Sequence, residues 1–365
     1  MIFRRLRSCL DGIFENGRTE RTLGSVTPNP ETRSTQNTVT PPTIQSVEAG
    51  IPRPRWSVMI PVYNCAQFLR KTLESVLHQD PGLDAMQIEV VDDCSQGDDP
   101  EAVVRSIGDG RVDFFRKPCN EGAIANFNTC IQHSRGDLIH ILHGDDWVLP
   151  GFYSEIENMS GKYPEVSLFG TRSFFADEEG FLTGVSRRFK TLESPTKGPV
   201  YLDQDTTVQC AGMVMRRDFY EKSGGFLESL PHTADMEMWT RAFHEGAGVL
   251  SPEVLSVYRV FQGNDTSRLV RSAGNLKDMA RLYQLLGVKV PGYDHARSRR
   301  FLQRYARLQI EASLERRDMA AADAARKFYL EQATLGEKVW LWRSDFHRRL
   351  RNWTAKIMGG NRELT

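Results

Sequence analysis

Hydrophobic and polar positions follow two alternating patterns between residues 56 and 142. Four short apolar runs have the length of buried strands: residues 56–63, 87–92, 111–115 and 137–142. Between them, apolar residues recur three or four positions apart, the spacing of one helix face: Phe68, Leu69, Leu73, Val76 and Leu77, then residues 102–107, then Ile124, Phe127 and Ile131. This alternation predicts an α/β fold, with a parallel sheet covered by helices on both faces.

The pattern changes after residue 142, and this change sets the expected domain limits. An apolar run at residues 166–176 is followed by acidic residues and Gly180, which predicts a hairpin at residues 177–180. From about residue 272 onward the apolar spacing is helical. We therefore expect a folded domain at residues 56–270 and a helical extension at residues 271–365.

The two ends of the chain have a different character. Residues 18–55 are rich in Thr, Pro, Ser and Asn without apolar periodicity, which predicts a disordered linker. Residues 1–17 and the last part of the extension read as basic amphipathic helices, which suit an anionic membrane surface. Their apolar and basic positions are Phe3, Leu6, Leu10 and Ile13 beside Arg4, Arg5 and Arg7, and Val339, Trp342, Phe346, Leu350, Trp353 and Ile357 beside Arg343, Arg348, Arg349, Arg351 and Lys356. Alternatively, the C-terminal helix packs on the domain and the N-terminal helix is frayed.

Composition narrows the classes of protein that need to be considered. The chain has 365 residues, with 47 Lys and Arg balanced by 47 Asp and Glu, so no overall charge favours a nucleic-acid partner. Its six cysteines are scattered and form no Cys-x-x-Cys pair, which argues against a zinc knuckle and a disulfide-stapled secreted domain. No apolar run reaches the length of a membrane span. These features predict a cytoplasmic protein.

The clearest candidate for chemistry is the sequence His143-Gly144-Asp145-Asp146-Trp147, directly after the fourth apolar run. In an open α/β sheet, ligands bind beyond the carboxyl ends of the strands, so these two acids are expected to face a binding site. Carboxylate oxygens suit Mg²⁺ or Mn²⁺, which can bridge to substrate phosphates. The simpler alternative is a strand that ends in a solvated turn.

Polar residues also close the other strands and open the third helix. Their motifs are Pro61-Val62-Tyr63-Asn64, Val91-Asp92-Asp93-Cys94-Ser95 and Asn120-Glu121-Gly122. Each has an ordinary structural explanation, because Asn and Asp commonly end strands and an Asn-x-Gly turn can cap a helix. In this order and spacing, together with the acidic segment, they resemble the motifs of family 2 glycosyltransferases of the GT-A fold, from about residue 56 to residue 267.

The resemblance assigns roles to individual residues. Asp92 and Asp93 stand where the family binds the uracil and ribose of a nucleotide sugar, with Pro61, Val62 and Asn64 in the same pocket; Asn120 and Gly122 belong to the matching turn. Asp145 becomes the leading metal ligand. Asp146 is either a second ligand or a residue that orients metal-bound water.

The resemblance also implies a catalytic base, and the sequence departs from the family's motifs at three positions. In inverting members, the aspartate of a Glu-Asp-x-x-x-Trp motif is the base, which corresponds here to Asp235, with Ala234 in place of the glutamate. Glu237 is its rival, and the structural alternative is a helix-terminal acid stabilised by the macrodipole.

His143 replaces the usual first aspartate of the metal motif, where it could bind metal or only hydrogen-bond from an outer shell. Phe261 replaces a frequent histidine, which leaves Arg259 to neutralise phosphate charge.

The resulting functional prediction is an inverting, metal-dependent transferase. Its expected partners are a nucleotide-sugar donor, most commonly a uridine diphosphate sugar, and a glycan or lipid-linked acceptor in cell-surface polysaccharide synthesis, at the inner face of the membrane. The alternative is a nucleotide-sugar-binding protein that has lost activity, suggested by the three departures. A dinucleotide-dependent dehydrogenase is excluded, because the first strand is not followed by a Gly-x-Gly-x-x-Gly turn.

Overall fold

A mixed nine-stranded sheet forms the centre of the computed structural model, which describes residues 40–198, 200, 208–261, 263, 265–336, 338 and 339. Its strands are β1 (Trp56–Val62), β2 (Met86–Asp92), β3 (Asp113–Arg116), β4 (Leu138–Ile141), β5 (Trp147–Val148), β6 (Leu168–Ala176), β7 (Leu182–Val185), β8 (Met213–Arg216) and β9 (Gly248–Arg259). The strand order is β3-β2-β1-β4-β8-β6-β9-β5, and β7 pairs with β6.

Helices cover this sheet and continue into the C-terminal extension. They are α1 (Ala66–Leu77), α2 (Pro100–Ile107), α3 (Ala123–His133), α4 (Phe152–Lys162), α5 (Arg217–Ser223), α6 (Ala234–Glu245), α7 (Asp265–Arg271), α8 (Gly274–Lys289), α9 (His295–Glu315) and α10 (Met319–Gln332). Short 3₁₀ helices lie at Lys190–Leu192 and Cys210–Gly212. Every residue of β1 and β2 is buried, as expected for central strands with helices on both faces.

The α/β fold is confirmed, and the strands predicted between residues 56 and 142 are parallel, whereas the sheet becomes mixed beyond β4. Strands β1 to β4 are parallel, whereas β8 runs antiparallel to both β4 and β6. β8 follows β4 only after residues 149–212, a stretch whose described part already forms β6 and β7, so β8 does not come directly after a single crossover helix that would favour parallel pairing. The predicted hairpin at residues 177–180 joins β6 to β7, and the side chain of Asp177 accepts a hydrogen bond from Phe181 N at 2.8 Å.

The predicted linker is wrong for residues 40–55, because these residues pack against the domain. Ile44 is buried in the core shared by the sheet and the helices. The backbone carbonyl of Gln45 accepts a hydrogen bond from Arg217, and that of Thr43 accepts one from Gln132. The folded unit therefore begins before Trp56. Residues 1–39, including the predicted N-terminal helix, lie outside the described residues.

The C-terminal extension is continuous with the core of the sheet domain. Leu276, Met279 and Leu282 of α8 belong to the same hydrophobic cluster as Met238 and Trp239 of α6. This shared burial ties the extension to the helix that carries Asp235. Residues 340–365, which contain most of the predicted C-terminal amphipathic helix, lie outside the described residues. Within the described part of the chain, no helix is both long and apolar enough to cross a membrane.

Candidate active site

The acidic segment after β4 is fixed by close packing and by Thr72. Gly144 N donates to the carbonyl of Pro61 at 3.2 Å, and the Thr72 hydroxyl lies 3.0 Å from the carbonyl oxygen of Gly144 and 2.7 Å from that of Asp146. A Cβ on Gly144 would lie only 2.6 Å from Val62 Cγ1 and 2.9 Å from Cys65 Sγ. The segment therefore needs glycine here to sit against the end of β1.

Asp146 and His143 offer buried atoms suited to a cation. Asp146 is fully buried; its Oδ1 accepts a hydrogen bond from Arg259 N at 2.8 Å, while Oδ2 has no hydrogen-bond partner among the described residues. Burial and the charge of Asp145 raise the pKa of Asp146. His143 stacks on Phe127, with ring centroids 4.9 Å apart, and burial lowers its pKa to about 4, so its imidazole is neutral at pH 7.

One ligand atom from each of His143, Asp145 and Asp146 lies within 4.8 Å of the others. Two carboxylates and a neutral imidazole are an ordinary donor set for Mn²⁺. A divalent cation would also satisfy the buried Asp146 Oδ2, which has no hydrogen-bond partner among the described residues and lies 3.7 Å from His143 Nδ1. The residues present therefore fit a divalent metal, with His143 in reach as a third ligand.

Arg259 holds the acidic segment in place. Its Nε donates to the carbonyl of Asp145 at 2.9 Å, and its Nη1 donates to the carbonyl of Glu178 in the β6–β7 turn. The guanidinium also lies 4.4 Å from the ring centroid of Phe68 and 4.9 Å from that of Trp147. These contacts give Arg259 a positioning role, and phosphate neutralisation by its side chain stays a prediction.

The carboxylates of Asp92 and Asp93 are occupied by protein groups. Asp92 is fully buried; it accepts hydrogen bonds from the amide and hydroxyl of Ser95 and pairs with Arg116 Nε at 2.7 Å. Asp93 accepts from Gly122 N at 2.8 Å and lies 3.0 Å from Lys117 Nζ. Both acids organise the loops at this edge of the sheet.

Asp93 thereby joins the end of β2 to the turn Asn120-Glu121-Gly122. Gly122, with φ of 93°, is the N-cap of α3, while Asn120 is exposed and is not the capping residue. Asp93 also accepts a hydrogen bond from Glu121 N at 3.0 Å. The structure thus brings the Asn120-Glu121-Gly122 turn against the end of β2.

The residues at the end of β1 divide into buried and exposed groups. Pro61 and Val62 are buried, so their side chains support the edge from below. Asn64 has φ of 50°, and its Oδ1 accepts from Gln96 N at 3.0 Å and from Gly97 N at 2.8 Å. Tyr63, which sequence reasoning left out of the site, is 49% exposed and presents an aromatic ring at this edge. The signal that could have found it is its place in the Pro61-Val62-Tyr63-Asn64 motif, directly after the last buried residue of β1.

Asp235 is the second residue of α6, rather than a residue ahead of the helix. It is half-buried, and its Oδ1 accepts a hydrogen bond from Met236 N at 2.7 Å. Burial is the main reason that the pKa of Asp235 is raised to about 6. Its rival Glu237 is buried in an ion pair with Arg241, with N–O distances of 3.1 and 2.9 Å. Glu237 is therefore held in the core beneath the site.

Tyr258 lies within electrostatic range of both the acidic segment and Asp235. The pKa of the half-buried Tyr258 phenol is raised by burial and then by the charges of Asp146, Asp145 and Asp235. Sequence reasoning missed this residue, although it directly precedes Arg259. The small residues of the 3₁₀ helix Cys210–Gly212 are buried. A Cβ on Gly212 would lie 2.8 Å from Ser256 Oγ, so these small residues serve close packing.

Comparison with known proteins now identifies the class. Residues 57–224 match the family model "Glycosyl transferase family 2". An uncharacterized protein, MT1568 of Mycobacterium tuberculosis, is 28% identical over 244 residues, which cover 63% of this chain and 75% of that protein. The glucosyltransferase WfaP of Escherichia coli, named for transfer from UDP-Glc to α-D-GlcNAc-diphosphoundecaprenol, is 23% identical, covering 61% of this chain and 86% of its own length.

Solved structures share the fold at lower identity. TarS 1–349 of S. aureus, in complex with UDP, is 13% identical with a TM-score of 0.51, covering 76% of this chain and 88% of that one. The mannosyltransferase PcManGT of Pyrobaculum calidifontis, in complex with GDP-Man and Mn²⁺, is 17% identical with a TM-score of 0.52, covering 88% and 87%. The protein is a glycosyltransferase of the GT-A fold. More particularly, residues 57–224 are similar to the glycosyl transferase family 2 model, the same family that the strand-end motifs resemble.

Proposed function

We propose that this glycosyltransferase moves a sugar, with inversion, from a uridine diphosphate donor to an acceptor hydroxyl, and that it depends on a divalent metal. The observation that carries this proposal is the group of metal-ligating atoms of His143, Asp145 and Asp146. Asp235, whose pKa is raised by burial, adds a candidate base, and its charge acts on Tyr258 as those of Asp145 and Asp146 do. Two solved proteins of the same fold contain nucleotides, one of them with Mn²⁺, which supports the donor and metal classes.

The metal site consists of Asp145 and Asp146, with His143 as a third ligand. When bound, Mn²⁺ or Mg²⁺ neutralises the charge of the leaving nucleoside diphosphate. Arg259 and Thr72 keep the acidic segment rigid, because they hold its backbone from two sides. Phe261, whose ring centroid lies 5.0 Å from that of Phe68, supplies no ligand at the position where the family often has histidine.

Asp235 acts as the general base. The acceptor oxygen attacks the anomeric carbon, the bond from that carbon to the diphosphate oxygen breaks, and the diphosphate leaves with the bonding electrons. The acceptor proton passes to the Asp235 carboxylate, which is mostly ionised at pH 7 when its pKa is about 6. A raised pKa makes this carboxylate a better proton acceptor than an exposed aspartate.

The nucleotide lies at the edge formed by the ends of β1, β2 and α3. Tyr63 offers an exposed ring for stacking on the base. Asn64, Asp92 and Asp93 order the loops around it, so Asn120 and Gly122 stand at the same pocket.

For the acceptor, we propose a lipid-linked glycan in polysaccharide synthesis at the cytoplasmic face of a membrane. The basic amphipathic sequences at both ends of the chain support membrane contact, and WfaP is named for a lipid-diphosphate acceptor. The full chain should float with anionic liposomes at low salt and be released at high salt. The absence of flotation at low salt would favour a soluble acceptor.

The test of activity separates this enzyme from an inactive nucleotide-sugar-binding protein. Purified full-length protein is screened against nucleotide sugars with and without Mn²⁺, and both thermal shift and release of nucleoside diphosphate are measured with a glycan acceptor. A donor that stabilises the protein and releases diphosphate only with metal supports the proposal. Stabilisation without release across a broad acceptor panel supports the inactive binder.

A further inference from the structure

A carboxylate of the C-terminal extension caps the helix that carries Asp235. Asp278 lies on α8 and is 2% exposed. Its Oδ2 accepts hydrogen bonds from His232 N at 2.8 Å, from Thr233 N at 2.8 Å and from the Thr233 hydroxyl at 3.0 Å. Thr233 is the N-cap of α6 and makes no capping bond of its own. A side chain from another helix thus secures the backbone two residues before Asp235.

The surroundings leave this part of α6 little freedom. Thr233 and Ala234 are fully buried, and Ala234 shares a hydrophobic cluster with Leu276 and Met279, the neighbours of Asp278 on α8. Two backbone amides and a hydroxyl in such a buried place need an acceptor, because an unsatisfied buried donor is costly. Loss of the Asp278 carboxylate would therefore let the start of α6 move.

We propose that Asp278 is a positioning residue for sugar transfer, which holds Asp235 at the place where it meets the acceptor hydroxyl. This inference rests on the proposed role of Asp235 as base. It gives the C-terminal extension a part in the reaction, although the matched family domain ends at residue 224.

Asp278 also acts on Asp235 through its charge. The Asp278 carboxylate contributes to the raised pKa of Asp235, after the larger effect of burial. Among the described residues, the titratable and charged groups around Asp235 and Asp278 are Arg281 from α8, Cys210 from the 3₁₀ helix, Tyr258 from β9 and His232 just before α6. Removing the Asp278 charge lowers the pKa of Asp235, so the ionised base persists to lower pH.

Two substitutions separate the hydrogen bonds from the charge. Asp278→Leu removes every acceptor, and we expect kcat to fall by about 10- to 100-fold with an unchanged donor KM, because a small displacement of a catalytic group is costly. Asp278→Asn keeps an amide oxygen for the backbone donors, so most of kcat is retained while the midpoint of the acid limb of the pH profile moves to lower pH.

Asp318→Leu is the matched control. Asp318 lies in the same extension and caps α10, two helices after α8, by accepting a hydrogen bond from Ala321 N at 3.0 Å. This control should keep the wild-type kcat and the wild-type midpoint of the acid limb of the pH profile, although it also removes a helix cap.

The outcomes are distinct from those that test the base itself. Wild-type kcat in Asp278→Leu, or a wild-type midpoint in Asp278→Asn, would overturn the inference. If Asp278→Leu fails to fold, Asp278→Ala, which removes the same acceptor without adding bulk, takes its place, and wild-type kcat in that variant overturns the inference. Wild-type turnover in Asp235→Asn would instead show that the proposed function names the wrong base, whatever the Asp278 variants do.

Discussion

Replacing Asp235 by asparagine should remove activity while increasing stability. Because its pKa is about 6, about nine in ten Asp235 side chains are ionised at pH 7. Wild-type kcat should therefore fall about tenfold per pH unit below about pH 6. Asp235→Asn should lower kcat by about 10²–10⁴-fold, equivalent to about 3–5 kcal/mol in the activation barrier. Donor binding should stay nearly intact, because the carboxylate acts on the acceptor.

The same raised pKa fixes the sign of the stability change. The folded-state pKa of Asp235 lies above its ordinary value of 3.8, so the folded protein binds this proton more tightly than the unfolded chain does. The ionised carboxylate then destabilises the fold above about pH 6, by about 1–3 kcal/mol for this half-buried side chain. Asp235→Asn removes that penalty. Its gain in the free energy of unfolding should be full at pH 7 and vanish as the pH falls below about 4.

Two measurements test this reasoning together. Release of nucleoside diphosphate is followed between about pH 5 and pH 8, and urea unfolding is measured at both ends of that range. Asp218 is an exposed acid in the first turn of α5, and Asp218→Asn is the matched control. It should change neither the release of nucleoside diphosphate nor the free energy of unfolding. Wild-type transfer by Asp235→Asn would refute the assignment. A fall in its stability at pH 7 would refute the argument from the pKa.

Other substitutions test the metal segment. Asp145→Asn should abolish the Mn²⁺-dependent part of nucleoside diphosphate binding in calorimetry, because a neutral amide cannot offset the charge of the cation; equal affinity with and without the substitution would contradict the metal assignment. Gly144→Ala should cost about 1–3 kcal/mol in urea unfolding through the contact with Val62. It should also weaken Mn²⁺ binding, whereas Gly161→Ala, with nothing within 4 Å of its new Cβ, should leave Mn²⁺ affinity unchanged.

The sequence predicted the parts of the fold and site that depend on local pattern. Four parallel strands follow from apolar runs, and the motifs at their ends were placed at one edge because parallel strands share that edge. The antiparallel direction of β8 depends on pairing with distant β4 and β6, which no local pattern encodes. Ile44 is a single buried residue in a polar segment, so no periodicity marked its packing.

The residues missed at the site have a similar explanation. Asp278 lies between the buried residues Leu276 and Met279, and the helical pattern alone does not show that its carboxylate faces α6. Its role depends on a contact across 45 residues of chain to Thr233. The relation of Tyr258 to Asp145, Asp146 and Asp235 depends on the fold, because these acids are far from it in sequence.

The double attachment of the acidic segment has a consequence for how substitutions there combine. Thr72 holds the carbonyl oxygens of Gly144 and Asp146 from α1, and Arg259 holds Asp145 and Asp146 from β9. With one attachment intact, the segment keeps much of its position, so single substitutions understate the contribution of each. Losses at Thr72 and Arg259 together should exceed the sum of the separate losses, and a double-mutant cycle on metal affinity measures that excess.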